Sequence, residues 1–142
     1  MRFEIHKEAE RGITVLQPEG ELDEMTSSEL LQAVSELMEN GEDLLVIDLA
    51  KTAAASSHAF RALLMLSKRL VSVGGRLVVC AAQNSVARAL TLSGLSRLCC
   101  VRESRKDAVD ELLVEERIER LAALVNKLLI RGEERRMAAV AV

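Results

Sequence analysis

Aromatic side chains are nearly missing from this chain: two Phe, no Trp and no Tyr stand among its 142 residues. The core must therefore be built from Leu, Val, Ile, Ala and Met, and the stacking platforms of single-stranded nucleic acid binders are absent. Net charge is low as well. With 19 Lys and Arg against 22 Asp and Glu, the formal value is −3, so the chain as a whole carries no basic footprint for nucleic acid. No apolar run reaches the roughly 18 residues a membrane span needs. The amino terminus, MRFEIHKEAE, lacks the apolar stretch of a signal peptide. A soluble, cytoplasmic protein is expected. Cysteine is scarce too: Cys80, Cys99 and Cys100 are odd in number, lack CxxC spacing and lie in apolar runs. That reads as buried packing in a reducing compartment, with redox or metal roles as the alternative.

What is present fits one domain with a sizeable core: 49% of residues are apolar and 29% charged, ordinary for a globular chain. Phe3 to His6 alternates apolar and polar, and Ile13 to Leu16 is apolar and β-branched, so the two read as a hairpin turning over Glu8 to Gly12. After Gly20-Glu21-Leu22-Asp23, Thr26 and Glu29 have capping-box spacing, with Met25 and Leu30 placed as a staple. A helix through Leu30, Leu31, Val34, Leu37 and Met38 then ends at Asn40-Gly41. Leu44 to Leu49, broken only by Asp48, has the pattern of a strand buried on both faces. The spacing predicts a second helix over about Ser57 to Ser72, stopped by Gly74-Gly75. Leu77 to Ala81 is another strand, Asn84 or Ser85 caps a third helix, and Leu98 to Val101 is a last strand. Strands alternating with helices predict parallel pairing through right-handed crossovers. The fold class is therefore α/β: a mixed sheet with packed helices over residues 1–112, then a carboxy-terminal helix and tail over 113–142.

In that last segment Val114, Ile118, Leu121, Val125 and Leu128 are spaced 4, 3, 4, 3, a heptad seam. Leu124 and Leu129 widen it, and Glu116 with Arg120 makes an i, i+4 pair. From Arg102 onward nine Lys and Arg balance nine Asp and Glu, so the segment holds no basic block for DNA or anionic lipid. Two readings stay open, a helix folded back on its own domain and self-association through the same stripe. The tail after Gly132 is expected to fray.

Catalytic chemistry finds little support. There is no phosphate-binding loop, since Gly74-Gly75 ends a helix rather than opening one. His6 and His58 offer no metal-ligand spacing, so no metal and no cofactor is expected. Ser57 and His58 are neighbours on a helix and point about 100° apart, which does not make a nucleophile and base. The chain reads as a non-enzyme. The segment from Asp48 to Leu64 stands out instead: a strand end, a loop of small residues, then Ser56 and Ser57 opening a helix. Serine there is ordinarily an N-cap. The same place also suits a phosphate, because free N–H groups and the helix dipole stabilise added negative charge.

In that segment and its flanks the chain resembles the STAS family, the domain of anti-sigma factor antagonists and of the cytosolic tails of sulphate transporters. The resemblance runs from about residue 10 to 112. It rests on Gly20-Glu21-Leu22-Asp23, on Val46-Ile47-Asp48-Leu49, on Ser57 nine residues after that Asp, and on Phe60, Arg61 and Leu63. Gly74-Gly75 and Leu92-Ser93-Gly94-Leu95 complete the ordered set. It implies a regulator of transcription that binds an anti-sigma factor which is also a serine kinase. It further implies Ser57 as the phosphorylated residue, with Ser56 its neighbouring competitor. The implied partner surface is Glu21, Asp23, Ser56, Ser57, His58 and Arg61. Two residues depart from the family motif: Ser56 stands for its Asp and Ala59 for its Gly. Rival readings are an adaptor or scaffold, unphosphorylated and assembled as a homodimer through Val114, Ile118, Leu121, Val125 and Leu128, and a small-molecule carrier.

Overall fold

The structure, a computed structural model, describes residues 2–8, 12–98 and 100–140. Strands β1 (Arg2–Glu8) and β2 (Ile13–Leu22) form the antiparallel hairpin, Phe3 opposite Pro18 and Ile5 opposite Leu16. The expected turn between them falls largely on residues outside the described ones. Helix α1 (Glu24–Glu39) follows, then β3 (Leu44–Asp48), β4 (Thr52–Ala55) and α2 (Ser57–Ser72). After β5 (Arg76–Cys80) come α3 (Asn84–Leu92), the short α4 (Leu95–Leu98), β6 (Cys100–Arg102) and α5 (Arg105–Val140). The sheet runs β1-β2-β3-β5-β6, parallel from β2 onward, with β4 paired to the far half of β2. Two compact units divide the chain, residues 1–112 and 113–142.

Alternation along the strands sorts the core of the first unit. Leu16, Leu45, Ile47, Leu77 and Val79 point to one face, where they pack with Leu30, Val34 and Leu37 of α1 and Leu63, Leu66 and Leu70 of α2. Val15, Val46, Val78 and Cys80 alternate with them and are buried too. Ala108, Val109 and Leu112 in the first turns of α5 are likewise buried, and Arg105 at its start binds Asp48 at the end of β3, Nε to Oδ2, at 2.8 Å. Burial pushes the Cys80 thiol up to about 12, with the nearby Asp48 charge adding to it. Cys100 is half-buried, and Cys99 lies outside the described residues.

Several elements depart from the sequence expectation. The loop of small residues contains β4, held against β2 by ladder bonds, by Gly20 N–H to the Lys51 carbonyl (3.1 Å) and by the Thr52 hydroxyl to the Pro18 carbonyl (3.1 Å). Gly20 sits at the bulge in this ladder with φ +109°, a conformation glycine adopts without strain. Helix α1 starts three residues early: Asp23, not Thr26, is the N-cap, and Thr26 is its capping-box partner. Met25 is therefore 73% exposed rather than a staple. Helix α3 is preceded by Gln83 rather than capped by Asn84 or Ser85. Leu98 ends α4, and the last strand begins at Cys100; so short an apolar run carries no periodicity to tell the two apart. Helix α5 continues through Gly132 to Val140 instead of fraying, since one glycine costs a helix only about 1 kcal/mol and good helix formers flank it.

Candidate functional site

Parallel pairing of β2 with β4 sets Glu21 opposite Ala54 and Leu22 opposite Ala55. The Ser56 N–H continues the ladder to the Leu22 carbonyl at 2.8 Å. The residues that follow, Asp23 on one strand and Ser56 on the other, are the N-caps of α1 and α2. Two helix N-termini thus open side by side at one end of the sheet. This brings together Glu21, Asp23, Ser56, Ser57, His58 and Arg61, of which Glu21, Asp23, Ser57, His58 and Arg61 are exposed.

The two N-termini are finished differently. At α1 the Thr26 N–H donates to the Asp23 carboxylate (2.9 Å), the Asp23 N–H donates to the Thr26 hydroxyl (2.8 Å), and that hydroxyl donates to the Glu21 carbonyl (2.7 Å). The Thr26 backbone bond, then its side chain, holds the Asp23 carboxyl below the usual Asp range. At α2 the Ser56 side chain makes no cap bond, and the first turn has no acidic residue. The Ser56 hydroxyl is buried without a hydrogen-bond partner, whereas Ser57 is exposed. The α2 terminus therefore keeps its positive dipole end uncompensated, with an accessible hydroxyl beside it.

Beside Ser57 lies a hollow of about 230 Å³, walled by Phe60, Leu64 and Leu95, with Ser57, Arg61 and Ser93 also lining it. Its far side is the α3–α4 connection: Gly94 takes φ +76°, the Ser93 hydroxyl donates to the Leu90 carbonyl (2.9 Å), and the Leu95 N–H donates to the Ser93 hydroxyl (3.3 Å). Ser93 and Leu95 were absent from the partner residues expected from sequence. The only signal for them was the Leu92-Ser93-Gly94-Leu95 motif, which spacing alone does not bring to α2. On the other side Asp23, Glu24, Met25 and Ser28 line a shallow depression. In the second unit Val114, Ile118, Leu121, Val125 and Leu128 are all between 54% and 61% exposed, and Arg120 pairs with Glu116 at 2.5 Å.

The profile of the STAS domain family matches residues 4–108, about three quarters of the chain and all of this site. The chain belongs to the STAS domain family. A protein from Paenibacillus polymyxa named anti-sigma F factor antagonist is 27% identical over 115 residues, covering 80% of this chain and 98% of its own. An anti-sigma factor antagonist from Mycobacterium paratuberculosis superimposes with a TM-score of 0.69 at 23% identity, covering 78% of this chain and 92% of that one. The Bacillus cell fate determinant SpoIIAA in its phosphorylated form gives a TM-score of 0.60 at 18% identity over 78% of this chain and 98% of its own. This STAS domain thus shares its fold with anti-sigma factor antagonists. Among the described residues, no helix is long and apolar enough to cross a membrane.

Proposed function

We propose that this STAS protein is an anti-sigma factor antagonist that acts without catalysis in the cytoplasm. On this reading it regulates transcription by docking the α1–α2 end of its sheet onto an anti-sigma factor with serine kinase activity. The observation that carries the reading is the exposed Ser57 at the uncapped, acid-free N-terminus of α2, beside an apolar hollow. The relative named as an anti-sigma F factor antagonist and the fold shared with a phosphorylated SpoIIAA support it. In the switching step Ser57 Oγ bonds to the γ-phosphorus of a nucleoside triphosphate held by the kinase. The bridging P–O bond breaks, the nucleoside diphosphate leaves, and the hydroxyl proton passes to a base on the kinase. The product adds about −1.5 to −2 charges to the docking surface, and a face that fitted a neutral hydroxyl no longer fits. Capture from the native host with wild-type, Ser57→Ala and Ser57→Asp baits tests this. A kinase-fold partner held by the first two and lost from the third is expected. Equal retention on all three overturns the switch.

The exposed seam of α5 favours a second, compatible reading, self-association of two copies. With Ile118 and Val125 at one core position of the heptad and Leu121 and Leu128 at the other, it has the residue choice of parallel two-stranded coiled coils.

A further inference from the structure

Resting on Ser57 as the modified residue, we propose that Arg61 is the partner of the Ser57 phosphate within the same chain, and that their pairing closes the hollow beside α2. Ser57 and Arg61 stand one helical turn apart on α2, on the same side, and both line that hollow. Residues four apart on a helix are neighbours. An anion placed N-terminal to the cation is the order that the helix dipole also favours. Among the described residues that line the hollow, Arg61 is the one charged side chain; the rest are Phe60, Leu64, Leu95 and two serines. A guanidinium meets a phosphate through two parallel N–H bonds, which an ammonium cannot reproduce. Drawn toward Arg61, the phosphoryl group lies across the mouth and covers the apolar wall of Phe60, Leu64 and Leu95. Phosphate then does more than repel a partner: it covers the apolar surface on which a partner would seat.

The departures from the family motif fit this arrangement. With Ser56 in place of the motif Asp, no carboxylate opens α2, so no like charge stands directly before the phosphate. Among the described residues, the other ionisable side chains at this end of the sheet include His58 on α2 and Glu21, Asp23 and Glu24 at the end of β2 and the start of α1.

The test uses the full chain with phosphoserine installed at position 57 during translation, following the phosphate by 31P NMR through its second ionisation near pH 6. Because His58, Glu21, Asp23 and Glu24 are unchanged between variants, differences isolate position 61. The apparent pKa should lie lower in the wild type than in Arg61→Gln by about 0.3 unit, with Arg61→Lys between them. Methyl signals of Leu64 and Leu95 should move on phosphorylation in the wild type and stay in place in Arg61→Gln. Equal pKa values in the wild type and Arg61→Gln would overturn the pairing, and a pKa difference with unmoved methyls would overturn the closure. Arg61 is exposed, so both variants are expected to fold, and unmodified samples provide the control. Since the phosphate is supplied in translation, failure here counts against the Arg61 clamp alone. Failure to find phosphate in the cell would count against the proposed switch.

Discussion

Asp23 and Ser56 occupy equivalent places at the starts of two adjacent helices, and their chemistry differs. Asp23 accepts the Thr26 N–H and holds the α1 terminus; Ser56 turns its hydroxyl inward, where it meets no partner. The difference assigns the roles: α1 is anchored, and α2 presents an open positive end next to exposed Ser57. It also separates the two serines, because a kinase reaches an exposed hydroxyl and not a buried one. The Asp23 cap has a pH signature. Its folded pKa lies below the unfolded value near 3.8, so the stabilisation is complete above that value and is lost as pH falls through the folded pKa. Unfolding measured from about pH 5 down to about pH 2 should show the wild type losing its advantage over Asp23→Ala across that window. A constant difference across it would mean that the carboxylate charge contributes nothing.

At the scale of elements, β4 does most to place the site and was the least legible in sequence. Thr52-Ala53-Ala54-Ala55 has neither alternation nor bulky β-branched side chains, and it becomes a strand because β2 runs far enough to supply a partner. Helix α2, expected over about Ser57 to Ser72, was legible from the spacing of Phe60, Leu63, Leu64, Ser67, Leu70 and Val71 and the glycine stop. The heptad of α5 was legible too, since it is a one-dimensional pattern. Two copies joined by that seam would show a mass that rises with concentration toward twice the monomer. Leu121→Glu with Val125→Glu should return it to the monomer at every concentration, because burying the introduced carboxylates is prohibitive. A wild-type mass that stays monomeric, or one the double substitution leaves unchanged, removes the seam as an interface.

Across the whole molecule, the layers followed from alternation and crossover rules, and the family from an ordered set of short motifs. What sequence could not supply were contacts between residues far apart in the chain. The hollow joins Ser57 to Leu95, and the Asp48–Arg105 bond spans 57 positions. Asp48 is nearly buried while Arg105 is about a third exposed. Arg105→Ala should therefore destabilise the fold by about 2 kcal/mol, somewhat less than breaking a fully buried pair. Chemical denaturation measures this, and Asp48→Asn in the same background should recover part of the loss. Additive losses would show that the two side chains are not coupled.

The most direct test of the switch is peptide mass mapping of the protein purified from its own host, with and without phosphatase. The exposed Ser57 predicts one phosphate-sized increment on that residue, removed by phosphatase, and none on Ser56. Phosphate on Ser56, or no phosphate through growth and stress, would contradict it.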